Sequence, residues 1–279
     1  MEFLGMEWWQ VLLVLVAGFW AGTINSVVGS GTLVTFPVLV SVGFPPVTAQ
    51  MSNAMGLVAA GFSGTWGYRR ELRQSSAIIK TLTWASLAGG IIGATLLMSL
   101  PPTVFDYAAP ILIVVAILFV VFQPRLNTWV RQRRQSAAGA NEVITTDISS
   151  GPTGPVTPAL FILIFLTGIY GGYFVAAQGV LLLGLLGVFL TSGTLVHANA
   201  IKTWLSLAVN LIAAASYLLF AFDRIDWTAV LLIAASSLIG GSYGARIGRR
   251  IKPAVLRTVI VIVGLAGMVN MIWRLVNNG

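Results

Sequence analysis

A chain of 279 residues that is 57% hydrophobic and 9% charged lies far outside soluble composition, which excludes a water-soluble globular domain. Its net charge of +8 would suit nucleic acid, but the cations sit in short loops between apolar runs, where they act as topology signals and anionic-lipid contacts. The absence of cysteine removes disulfides, thiol catalysis and cysteine-based metal sites.

The first apolar run, residues 8–28, contains WWQVLLVLVAGFWAG and is long enough for a membrane helix. It does not read as a cleavable signal peptide, because Glu2 and Glu7 stand where such a peptide is basic. Its end is unusual. The stretch GTINSVVGSGTLVTFP (22–37) places Asn25, Ser26, Gly29, Ser30 and Gly31 at membrane depth, followed by Pro37. A helix break there bares N–H and C=O groups costing several kcal/mol each in lipid, tolerated only where protein or a water-filled cavity satisfies them. The next segment, 31–43, is too short to cross a core that takes about 20 residues. It is predicted to be the returning arm of a re-entrant hairpin, whose free N–H groups and positive dipole end suit an anion. Glycines at such a break also permit tight helix packing. The polarity of Asn25, Ser26 and Ser30 favours a substrate site.

Segments at 47–67, 76–99 and 104–123 complete the first half. Residues 124–157 break the apolar pattern, first basic (Arg125, Arg131, Arg133, Arg134), then rich in Ser, Thr, Gly and Pro. They read as a solvated cytoplasmic linker between a first membrane unit, 1–123, and a second, 158–279. The second unit has segments at 158–176, 179–192, 195–221, 227–246 and 254–274, and it repeats the first. SLAGGIIGA (Ser86 to Ala94) matches SLIGGSYGA (Ser237 to Ala245), and VTAQMSNAMGL lies over VHANAIKTWLS, pairing Asn53 with Lys202. Gly22 and Gly29 find partners in Gly172 and Gly179, so an equivalent break is expected at Gln178-Gly179.

Basic residues between the third and fourth segments (Arg69, Arg70, Arg73, Lys80), after the fifth, and between the last two (Arg246, Arg249, Arg250, Lys252) mark cytoplasmic loops. Residues 100–106 and 222–226 then face outward. The first hairpin starts and ends outside and the second inside, so the fold class expected is an all-α polytopic membrane protein of two inverted repeats, the architecture of a secondary transporter.

Lys202 is the sharpest single residue, about 10 Å into its helix at 1.5 Å per residue. A lysine there costs roughly 2.5–3.5 kcal/mol and usually faces a cavity with a partner. Apart from Asp106 at the outer edge of segment 104–123, the apolar segments offer no Asp or Glu, which leaves an anionic substrate as the simplest partner; snorkelling to the cytoplasmic interface is the competing reading. Asn53, at the repeat-related position, can bond the same ligand or act as interhelical glue. His197 and Asn199 lie near the start of the Lys202 helix, and Asn210 is a further candidate two turns on. His197 is the only histidine, which excludes a multi-histidine metal site and leaves a proton-relay role open. No metal, cofactor or catalytic residue is expected, since there is no intramembrane carboxylate pair, Ser/His/Asp set or HExxH.

AGTINSVVGSGTLVTFPVLVSVGFPPVTAQMSN resembles the first signature of the TauE/SafE family of sulfite exporters: a glycine-rich break, a proline-ended short helix, then an Ala…Ser-Asn helix. GIYGGYFVAAQGVLLLGLLGVFL followed by ANAIKTWLSLAVN is similar to the second. The resemblance covers both halves. It implies transport of sulfite, organosulfonates or related sulfur-containing anions across a bacterial inner membrane, mostly outward, with Gly29, Ser30, Gly31, Asn53, Gln178, Gly179 and Lys202 near the substrate. Many members have a fuller glycine run where this chain has Gly-Ser-Gly, and Thr-Asn where it has Ser52-Asn53. The function expected is export of a small sulfur-containing anion by alternating access. An uptake carrier for another solute and a non-transporting scaffold are the alternatives. Expected partners are the anion, membrane lipid and, as an option, a second copy in a homodimer; nucleic acid is not among them.

Overall fold

The computed structural model describes residues 2–3, 6–137, 156–190, 195–247 and 253–278. They form eleven helices, preceded by one two-residue strand pair, Glu2–Phe3 with Met6–Glu7. The helices are α1 (Trp8–Val27), α2 (Thr32–Ser41), α3 (Pro46–Gly67), α4 (Arg69–Gln74), α5 (Ser76–Ser99) and α6 (Pro102–Ala137), then α7 (Pro158–Tyr173), α8 (Gln178–Phe189), α9 (Leu195–Phe220), α10 (Trp227–Ile247) and α11 (Pro253–Asn278). Among the described residues, α1, α5, α6, α9 and α11 contain stretches long and apolar enough to cross a membrane. The protein is an all-α polytopic membrane protein. α3 has the length as well, but it buries Gln50, Ser52 and Asn53 against neighbouring helices.

Local chemistry sets the helix ends. α1 stops where Val28 and Gly29 both donate to Ile24 O, and Gly29 takes φ +93°, a conformation that a side chain would strain. α2, at 10 residues, and α8, at 12, are too short to span, as expected of re-entrant arms. Proline opens α3 and α7 at their first turns, where its missing N–H has no helical partner to lose, and the Thr157 side chain caps α7 by accepting from Leu160 N at 3.3 Å. α6 runs past Pro124 to Ala137, so residues 124–137, expected to begin a flexible linker, continue the helix instead. RLNTWVRQRRQ holds enough helix formers to propagate past one lost hydrogen bond. Residues 138–155, the rest of the expected linker, lie outside the described residues.

Helix packing is reciprocal. α1 packs on α10, and α7 packs on α5; α3 lies against α10 as α9 lies against α5; α2 meets α11 as α8 meets α6. The helices α3 and α9 touch each other, as do α6 and α11. Each of these contacts has a mate in the other half; α4 against α9 is a cross-contact without one. The two SLxGGxxGA stretches make the closest of these contacts. A Cβ on Gly240 would overlap Phe19 O of α1, and one on Gly89 would overlap Phe165 O of α7. Small residues let such helices approach until their backbones touch, which drives association where lipid removes the hydrophobic force.

Candidate functional site

Both helix breaks turn inward and meet. The first spans residues 28–31. The second falls at residues 174–177, just before Gln178-Gly179, which form the first turn of α8 rather than the break itself. The chain turns there through Ala177, at φ +61°. Gln178 thus begins α8 as Thr32 begins α2. Gly29 and Gly179 are neighbours across the two breaks: a Cβ on Gly179 would lie 2.5 Å from Gly29 O, and one on Gly29 3.1 Å from Gly179 Cα. Phe36 of α2 clamps the second break by an edge-to-face contact with Phe174, centroids 5.4 Å apart, and Tyr217 of α9 donates to Gly172 O at 3.1 Å.

Between the breaks lies a cavity of about 10 Å³, room for about one water. Asn25, Gly29, Gly31 and Thr32 line it from the first hairpin, and Val175, Gln178 and Gly179 from the second. Leu57 of α3 and Ser206 and Asn210 of α9 close its sides. Among the described residues, nothing accepts from the N–H groups of Gly31, Thr32 or Gly179. Two half-helix N-termini therefore present free donors and positive dipole ends to one space. Its side chains are under-satisfied too: both amide atoms of Gln178, Ser206 Oγ and Asn210 Oδ1 are buried without a hydrogen-bond partner, as is Ser30 Oγ beside them. Buried polar atoms left unpaired in this number call for a ligand or water.

Lys202 is 2% exposed, and its Nζ donates to Asn25 O at 3.3 Å, next to Gly29. The side chain reaches into the first break and does not snorkel. That carbonyl is its one hydrogen-bond partner among the described residues, and no carboxylate pairs with it. A buried ammonium with one neutral acceptor is under-compensated, and an anion in the adjoining cavity would complete it.

Other predicted site residues are placed elsewhere. Asn53 donates to Thr32 Oγ1 at 3.1 Å and its Oδ1 accepts from Thr35 Oγ1, so it holds the first turn of α2 rather than facing the cavity. Ser26 Oγ donates to Thr23 O of its own helix. Asn199 donates to Tyr68 OH at 2.6 Å, and His197 Nε2 bonds Gln74 Oε1 at 2.9 Å, both joining the start of α9 to the α3–α4 end. Ser206 was missed. Its signal was the four-residue spacing Lys202, Ser206, Asn210, one stripe of α9. The stripe has no counterpart on α3, where the repeat-related positions carry Asn53, Leu57 and the unsubstituted Gly61. The positive wall comes from one half only.

A family model described as Sulfite exporter TauE/SafE matches residues 14–271. Among curated proteins, "Probable membrane transporter protein ORF9" of Sinorhizobium is 26% identical, covering 91% of this chain and 88% of that protein. "Probable membrane transporter protein" of Haemophilus influenzae is 25% identical, covering 94% of each. "Probable membrane transporter protein YfcA" of Escherichia coli is 25% identical over 87% of this chain and 82% of that protein. No solved structure matches.

Proposed function

Because the chain belongs to the TauE/SafE family, and so is a multi-pass membrane transporter and not an enzyme, we propose that its cargo is a small sulfur-containing anion such as sulfite or an organosulfonate, moved outward across the inner membrane. The observation that carries this reading is the Lys202 ammonium, buried beside two half-helix N-termini with one carbonyl for company. Such a site favours a compact oxyanion: the N–H groups and the amides of Gln178 and Asn210 donate to its oxygens, and Lys202 balances its charge. A neutral or cationic solute would leave that charge uncompensated.

The two halves, 1–123 and 158–279, act as inverted repeats that rock about the breaks and expose the cavity to either side in turn. At about 10 Å³ the space is contracted around no more than a water, so binding requires the hairpins to part. Outward movement of an anion is favoured in an inside-negative cell by about 2.3 kcal/mol per charge per 100 mV. Flux of sulfite, sulfoacetate, taurine and sulfate through proteoliposomes holding the protein tests the reading. Saturable flux of sulfite, sulfoacetate or sulfate is expected; flux of none of these three anions overturns it.

A further inference from the structure

A second cavity, of about 390 Å³, opens at the end of the bundle where α2 finishes, roughly 15 Å along that 10-residue helix from the central site. Its walls are the α2–α3 turn, the start of α6 with Thr103, Asp106 and Tyr107, and the end of α11 with Arg274 and Leu275. By the placement of the basic loops this is the outer face. The central cavity adjoins the Lys202 ammonium and has no carboxylate in its lining, whereas this one is lined by one charge of each sign.

Neither charge is spent. Asp106 lines the cavity, and its Oδ1, turned into the protein, has no hydrogen-bond partner, so no bond among the described residues engages the carboxylate. Arg274 donates one N–H to Ser41 O at 3.3 Å, capping the C-terminus of α2, which leaves most of its five donors unused among the described residues. No ion pair joins the two side chains, although they line one space. A ligand able to serve both must carry an acid and a base at its two ends.

We propose that this outer cavity binds a small zwitterion, its ammonium on Asp106 and its anionic end on Arg274. The hydroxyls of Thr103 and Tyr107 lie on the α6 wall to complete the bonding of either end. The site is separate from the central one and does not depend on what Lys202 holds. Water alone in the vestibule, with Asp106 left to solvent, is the reading it displaces.

Equilibrium dialysis of radiolabelled β-alanine against the full chain in detergent decides between them, with propionate and propylamine as single-charge controls. β-Alanine should bind at least about tenfold more tightly than either control, the worth of one charge-assisted contact. Asp106→Asn should bring it down to the level of propionate, and Asp106→Glu should retain it. Leu275→Trp, which fills the cavity without touching either charge, should abolish binding and keeps the test valid where Asp106→Asn fails to fold. Equal binding of β-alanine and propionate, or full affinity in Asp106→Asn or Leu275→Trp, overturns the proposal.

Discussion

Replacing Lys202 by Met keeps much of the side chain's length and removes one ammonium from a position 2% exposed, where its single hydrogen bond is to Asn25 O. Two consequences of opposite sign follow. A charge-assisted hydrogen bond to a bound anion contributes about 1.5–3 kcal/mol, so its loss should weaken binding by about 10- to 150-fold. Inserting a lysine this deep costs about 2.5–3.5 kcal/mol, a penalty that methionine does not carry. With no carboxylate left stranded, the empty variant should therefore melt at the wild-type temperature or above it. Dialysis of labelled sulfite against the detergent-purified protein, alongside a thermal melt of the same sample, measures both. Wild-type sulfite affinity together with a lowered melting temperature would show that Lys202 is a structural tie between α9 and the first break, and would refute the reasoning.

Gly179→Ala places a methyl 2.5 Å from Gly29 O. It should force the breaks apart and destabilise the protein by about 1–3 kcal/mol, with transport lost, as seen by melting and proteoliposome flux. Asn210→Asp puts a carboxylate on the cavity wall and should weaken sulfite binding at least about tenfold by like-charge repulsion; an unchanged dissociation constant would remove Asn210 from the site. Ala177→Val asks a β-branched residue to hold φ +61° and should cost about 1–2 kcal/mol or more, read as a lower melting temperature. The chain has no native cysteine, so single cysteines at Ser99 and Ser136 can be labelled from either side of the membrane; reagent confined to one face should reach only one of them.

Segments bounded by glycine, proline or basic loops were legible. The apolar run expected at 76–99 is α5 to the residue, and the short arms at 31–43 and 179–192 appear as α2 and α8. The second break was harder to place. Residues 174–177 contain no glycine, because Ala177 takes the left-handed conformation itself, so the sequence signal lies on the glycine just beyond the break. Asn53 and Asn199 show a further limit: an intramembrane asparagine has the same signature whether it faces a ligand, ties α2 down through Thr32 and Thr35, or bonds Tyr68. Composition cannot tell glue from ligand. Lys202 was different, since a buried charge has few affordable partners, and the missing acid was itself visible in the sequence.

The reciprocal packing of α1 on α10 and α7 on α5 also bears on how the protein is made. α1 leaves the ribosome about 200 residues ahead of the helix it packs against, which at 5–20 residues per second is about 10–40 s of waiting in lipid. Through that interval Gly18 and Gly22 lack the α10 residues on which they close. Neither half can mature before the other arrives. Premature termination should therefore yield no half-transporter, and two halves expressed as separate chains should accumulate only together.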